Sequence, residues 1–194
     1  HPRDDISLCD IRMFGAKERP PMPVVYADSG RSSPQDWSLA FEVRGASLKS
    51  FNPVPYMVQL LQEIPGLRAR TGHLHSVLSE LYSNALEHGV LGLDSQLKCD
   101  VQGFADYYQE RARRLASLAE GCVSIRFRVE PRGQGGRLSI EVSDSGAGFD
   151  VPSVLARAVP DHGLSGRGLN LVRQLAGDAR WAEGGRCAQV EFEW

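Results

Sequence analysis

The sequence predicts an α+β domain: a two-layer α/β sandwich whose mixed, mostly antiparallel sheet carries helices on one face. Three observations lead there. Strand-like and helix-like runs are segregated along the chain instead of strictly alternating. CVSIRFRVE (122–130) and RLSIEVSD (137–144) flank the glycine-rich turn PRGQGG as the arms of a hairpin. From about Thr71, apolar residues recur at spacings of three and four, which is helical periodicity.

The totals suit such a domain. At 194 residues, 42% hydrophobic and 24% charged, the chain is long and apolar enough to bury a core. A formal net charge of −2 gives no reason to expect affinity for nucleic acid or for an anionic membrane. No apolar run approaches the roughly 18 residues of a membrane helix. The opening HPRDD is neither a signal peptide nor a natural start, so the chain reads as a piece of a longer protein. Cys9, Cys99, Cys122 and Cys187 are scattered and form no C-x-x-C pair. That speaks against a zinc knuckle or disulfide scaffold and fits a reducing cytoplasm. His73 and His75, two residues apart on a helix, point to different sides and make a poor metal pair.

In chain order, RDDISLCDIRMF reads as two acids followed by a short alternating strand, and residues 15–36, rich in Pro, Ser and Gly, as a linker. The domain starts near Trp37. WSLAFEVRG (37–45) has strand character, with Leu39, Phe41 and Val43 on one face. NPVPYMVQLLQEIPG (52–66) holds a short helix bounded by prolines and closed by Gly66. The helix from Thr71 uses Leu74, Val77, Leu78, Leu81 and Ala85 as its stripe, and GVLGLDS (89–95) breaks it. Residues 104–121 form a second strong helix, with Phe104, Tyr108, Leu115 and Leu118 as packing points. After the hairpin come a loop (145–165), a helix at 168–176 and two closing strands, ARWAE and CAQVEFEW.

Three short stretches carry chemistry. In ELYSNALEHG (80–89), Glu80, Asn84 and His88 lie beside the apolar stripe, where half-buried polar groups need partners or forfeit about 1–3 kcal/mol each. Hydrogen bonds to backbone would serve them as well as a ligand would. In VSDSGAGFD (142–150), a strand ends at Asp144, whose carboxylate can accept from an exocyclic amine, and Gly146 and Gly148 permit tight turning and close approach of a ligand. In GLSGRGLNLVRQLAG (163–177), glycines precede a helix whose first turn presents free N–H groups and a positive dipole end, suited to phosphate, and Arg167 adds a cation. This is neither a Walker A loop nor a dinucleotide fingerprint.

Taken together, an E-x-x-x-N-A helix, strand–D-x-G-x-G and G-x-G before a helix resemble the GHKL (Bergerat-fold) ATP-binding superfamily over residues 37–194. N-A-x-x-H-G with Glu80 four residues before the asparagine is most similar to the bacterial anti-sigma-factor serine kinases. The resemblance implies ATP and Mg²⁺. Asn84 would ligate the Mg²⁺ bridging the phosphates, and Glu80 would be the general base for a serine hydroxyl. Asp144 would accept from the adenine N6 amine, with the base lying against Gly146 and Gly148. Gly166, Arg167, Gly168 and the helix N-terminus at Leu169 would hold phosphates; His88 would be structural. Two departures stand out. Ala188 occupies the place of a threonine near the adenine, and residues 94–120 look like a helical insertion, either a brace or a partner surface.

RDDISLCDIRMF resembles the closing strand of PPM-type (SpoIIE-like) serine phosphatases, so residues 1–14 would be the remnant of such a domain, with Asp4 and Asp5 orphaned from their metal. The implied protein is a cytoplasmic serine/threonine kinase and anti-sigma switch of a bacterial partner-switching regulator. Its substrate would be a STAS-domain anti-sigma-factor antagonist. A sigma factor, another anti-sigma protein or a second copy are further partners, with no nucleic acid and no membrane. The alternative is a nucleotide-gated binding module with little catalysis. A histidine-kinase catalytic domain fits less well, because no long dimerisation helices with a phosphoacceptor histidine precede Glu80.

Overall fold

A computed structural model describes residues 36–94, 101–151 and 167–194, all within one compact unit, Ser32–Trp194. The expected phosphatase-like remnant at 1–14, all but the last residue of the expected linker at 15–36, Cys9, Cys99 and Gly166 lie outside the described residues. The architecture is the expected α+β sandwich: a five-stranded sheet with helices packed on one face.

Strand β1 (Trp37–Arg44) alternates as its sequence demands, with Trp37, Leu39, Phe41 and Val43 turned inward and Ser38, Ala40, Glu42 and Arg44 exposed. A single turn, α1 (Ser47–Ser50), leads to α2 (Val54–Gln62), which Asn52 starts by accepting the Val54 N–H at 3.1 Å. Here the sequence expectation fails in one detail. Helix α2 stops at Gln62, and Gly66 belongs to a separate turn, α3 (Pro65–Arg68). Gly66 is small because the Trp194 indole lies where its Cβ would project.

Helix α4 (Thr71–Asn84) buries Leu74, Val77, Leu78 and Leu81 against the sheet. The helix ends within GVLGLDS, as predicted, but only after passing Gly89. The helix widens into a π turn, Ala85–Val90, in which the Leu91 N–H reaches Leu86 O at 2.8 Å, and the chain leaves it at Gly92, where φ is +59°. Helix α5 (Val101–Ser117) meets its expected packing in part: Leu115, and Leu118 just beyond its end, pack against the core, but Phe104 and Tyr108 are exposed, whereas Tyr107 is fully buried. The cause is a buried acid, Glu87, which draws the amphipathic side chains Tyr107 and Arg111 inward.

Strands β2 (Cys122–Arg132) and β3 (Gly135–Asp144) form the predicted hairpin, turning at Gly133 with φ +57°. Helix α6 (Arg167–Leu175), strand β4 (Asp178–Ala182), a 3-10 turn at Glu183–Gly185 and β5 (Cys187–Glu193) complete the fold. The sheet order is β1-β2-β3-β5-β4, and every pairing is antiparallel. The sheet is therefore not mixed among the described residues: β5 inserts between β3 and β4, which run the same way, and pairs with both. Inward residues such as Ile125, Phe127, Leu138, Ile140, Val190 and Phe192 make the core with α2, α4 and α6. The outer face is polar and laced with ion pairs, among them Arg126–Glu141 at 3.1 Å and Arg137–Glu130 at 2.6 Å.

Candidate functional site

Helix α4 is amphipathic along two edges, and the polar one contains Glu80 and Asn84, one turn apart. Asn84 is the last α-helical residue before the π turn. Its Nδ2 is buried and has no hydrogen-bond partner. A buried, unpaired amide costs about 1–3 kcal/mol, so this group is set for something that the fold alone does not supply.

Asn84 opens onto a narrow cleft. Leu81, Asn84 and Ala85 form one wall. Val142, Asp144, Trp181 and Ala188 line it from the strands, and Phe149 and Arg186 from the segments that follow β3 and precede β5. Asp144 ends β3 and is half-buried; its Oδ1 accepts the Gly146 N–H at 2.7 Å. Burial raises the Asp144 pKa, opposed by that N–H and by the Arg186 guanidinium.

The glycines of this region are fitted to neighbouring backbone and to Asp144. Gly89, at the end of the π turn, lies directly on the Asp144 carboxyl group, so a Cβ there has no room. Gly146 likewise abuts the Gly89 carbonyl, with Asp144 Oδ1 2.8 Å from where a Cβ would be. Gly148 has φ +81° and faces Gly184 O, with Arg186 Cγ 3.1 Å from a built Cβ. The Phe149 N–H then reaches Gly184 O at 2.7 Å, which ties the D-x-G-x-G loop to the turn before β5.

The third stretch meets the first. Gly168, in the opening turn of α6, packs against the Glu80 carboxylate, whose Cδ lies 3.2 Å from a built Cβ. Leu169, next in that turn, is buried. Glu80, Asn84, Asp144, Gly146, Gly148, Gly168 and Leu169 are thus described around one region, while Gly166 and the Arg167 side chain are outside the described residues. His88 sits apart, its Nδ1 2.7 Å from Leu93 O and its ring 6.5 Å from that of Tyr107.

Sequence reasoning missed Phe149, Trp181, Arg186 and Gly89. Phe149 lies inside VSDSGAGFD and Gly89 ends ELYSNALEHG, so both could have been included on that ground. Trp181 and Arg186 had no such signal, because an aromatic in a strand reads as core and an arginine in a turn as surface.

A cleft between a helix edge and the end of an antiparallel sheet, with a second helix N-terminus beside it, is a place where an α+β domain can take a nucleotide. The family model for the histidine kinase-like ATPase domain matches residues 56–194. The match spans well over half the chain, and the chain belongs to that family. It is a GHKL-type ATP-binding domain. A comparison with curated proteins gives no match. Among the described residues, no helix is long and apolar enough to cross a membrane, and no cluster of three or more His, Cys, Asp or Glu could hold a metal ion.

Asn84 also answers whether the described residues suit Mg²⁺. Its carboxamide oxygen and nitrogen exchange places by a flip about χ2, so the unpartnered position can present Oδ1 to a hard cation. One protein oxygen together with phosphate oxygens and water is how Mg²⁺ is commonly held beside a nucleotide. The residues fit the ion.

Proposed function

We propose that this domain is an ATP-dependent serine/threonine protein kinase and anti-sigma-type switch. Its substrate in this reading is a STAS-domain antagonist, and its setting is the bacterial cytoplasm. The observation that supports it most is the convergence of three groups: Glu80 against the first turn of α6, Asn84 with an unpartnered buried amide, and Asp144 in the same cleft as Asn84.

In this reading Asp144 accepts from the adenine amine through its free carboxylate edge, since Oδ1 already holds the Gly146 N–H. Phe149 and Trp181 offer flat apolar faces to the base. The opening turn of α6, from Arg167 to Leu169, offers N–H groups to the phosphates, and Asn84 holds Mg²⁺. When bound, the ion neutralises charge that builds up between the β- and γ-phosphates. Glu80 stands beside that turn and takes the proton of the incoming hydroxyl. The serine oxygen bonds to the γ-phosphorus, the bond to the β–γ bridging oxygen breaks, and ADP leaves.

The test is phosphotransfer from ATP to a purified STAS-domain partner in the presence of Mg²⁺. Glu80→Ala is expected to lower the rate by about 10²–10⁴-fold while ATP binding remains. Undiminished transfer by Glu80→Ala removes Glu80 from the base role. Ala188 favours a second reading, a nucleotide-gated module that holds a sigma factor, an antagonist or a second copy of itself, because an alanine supplies no hydroxyl to the cleft. ATP binding without phosphotransfer to any partner identifies that module.

A further inference from the structure

We propose that helix α5 is a positioning element of the nucleotide site, acting through Tyr107 and Arg111 on Glu87 and so on the π turn that follows Asn84. The inference rests on the ATP-binding reading of the cleft and assigns work to a helix outside it.

The grip is specific. Glu87 lies in the middle of the π turn and is 8% exposed. Tyr107 Oη donates to its Oε2 at 2.6 Å, and Arg111 Nε donates to its Oε1 at 2.7 Å. Each carboxylate oxygen is therefore held from α5. One turn further along, Arg114 Nη1 donates to Leu91 O at 2.8 Å and to Gly92 O at 2.7 Å, which fixes the exit from the turn. Lys49 ties the far end of the helix to α1 by donating to Ala116 O at 2.8 Å.

The opposite flank of the same six residues belongs to the cleft. The turn begins directly after Asn84, Ala85 lines the cleft beside it, and Gly89 rests on the Asp144 carboxyl group. A π turn is uncommon and less favourable than continued α-helix, so tertiary contacts must select it. A buried carboxylate is a strong selector, because losing either partner leaves charge uncompensated in a low dielectric. Were the turn to relax to α-helical winding, Gly89 would rotate away from Asp144, and the wall that continues from Asn84 through Ala85 would change shape. Tyr107 and Arg111 hold it in the wider form. They touch no nucleotide in this scheme and are positioning residues.

Any brace would raise stability, so the test must read the site itself. ATP–Mg²⁺ affinity is measured by calorimetry for the wild-type chain, Tyr107→Phe, Arg111→Met and Arg111→Lys, at a temperature where circular dichroism shows each one folded. Tyr107→Phe and Arg111→Met are expected to bind about tenfold more weakly, as when the competent turn is populated in only a tenth of molecules. Arg111→Lys should recover part of the loss. In an Asn84→Ala background, Tyr107→Phe should have less effect, because the group being positioned is gone. As an independent readout, the Asn84 side-chain amide signal in a nitrogen–proton NMR spectrum should shift in Tyr107→Phe. Wild-type affinity retained in folded Tyr107→Phe and Arg111→Met, with an unmoved Asn84 signal, overturns the positioning role alone. No ATP binding by the wild-type chain overturns the nucleotide reading and takes this inference with it.

Discussion

Asp144 carries two opposed demands: the fold pays to bury its charge, and the proposed site uses that charge to accept from a base. Burial sets its folded pKa above the unfolded value. The folded chain therefore binds this proton more tightly, and the associated stability is present at low pH and is lost as pH rises through the folded pKa. Asp144→Asn keeps an oxygen for the Gly146 N–H and removes the buried charge. It is expected to leave the melting temperature at pH 7 equal or higher and to flatten the part of its pH dependence due to this group. ATP should bind about tenfold or more weakly, as for loss of one hydrogen bond to a charged acceptor. Calorimetry and melts between pH 4 and 7 check both; a melting temperature several degrees lower at pH 7 would mean that Arg186 stabilises the carboxylate more than burial penalises it. At this scale the sequence was legible wherever chemistry interrupted a pattern. Glu80 and Asn84 break an apolar stripe, and Asp144 ends a strand before two glycines. Trp181 and Arg186 interrupt nothing, so only the fold brings them to the cleft.

The π turn is the element on which the site depends most, and Gly89 tests it. A methyl group at Gly89 would occupy the place of the Asp144 carboxyl group, a short side chain that is tied at Oδ1 to Gly146. Either the turn lifts or Asp144 swings out, and each outcome damages the cleft. Gly89→Ala is expected to lower unfolding free energy by about 1–3 kcal/mol in urea titrations, as overpacking does, and to weaken ATP binding at temperatures where the chain is folded. Unchanged binding would show that Asp144 moves without consequence for the nucleotide. Helix α4 itself was plain from Leu74, Val77, Leu78 and Leu81. Its π ending was not, because widening a helix by one residue per turn changes no residue type and leaves the apolar stripe nearly in phase. The first turns of α5 were misjudged for a related reason, although Leu115 and Leu118 pack as expected. Hydrophobic periodicity takes Phe104 and Tyr108 inward, but Glu87 is a buried acid, and its partners must be a hydroxyl and a guanidinium.

Across the whole molecule, the two ends of β3 separate stability from function. Asp144 closes the strand at the cleft, and Gly136, second in the strand, lies eight residues earlier, roughly 26 Å away at about 3.3 Å per residue. At that distant end Trp194 exchanges both backbone hydrogen bonds with Gly136 at 3.0 Å each. Its indole lies over Gly66 in α3 and over Gly136 in the sheet, so one side chain joins the helical layer to the strands. The order of those strands was hidden in the sequence: nothing in CAQVEFEW says that it pairs with β3 as well as with its neighbour ARWAE. Nor does anything in IPGLR say that its glycine receives the final tryptophan. Segregated runs gave the fold class, whereas long-range pairing depends on inward faces fitting once the chain is compact. Trp194→Ala should leave a void between the layers and lower unfolding free energy by about 3 kcal/mol, measured by urea titration. Since the indole sits at the end of β3 away from the cleft, ATP affinity of the folded fraction should stay within about twofold of wild type, as for well-separated sites. Tyr107→Phe is expected to do the reverse, with a modest loss of stability and a large loss of affinity. Equal loss of ATP affinity in both variants would mean that the cleft simply follows global stability, and that α5 and the π turn have no privileged hold on it.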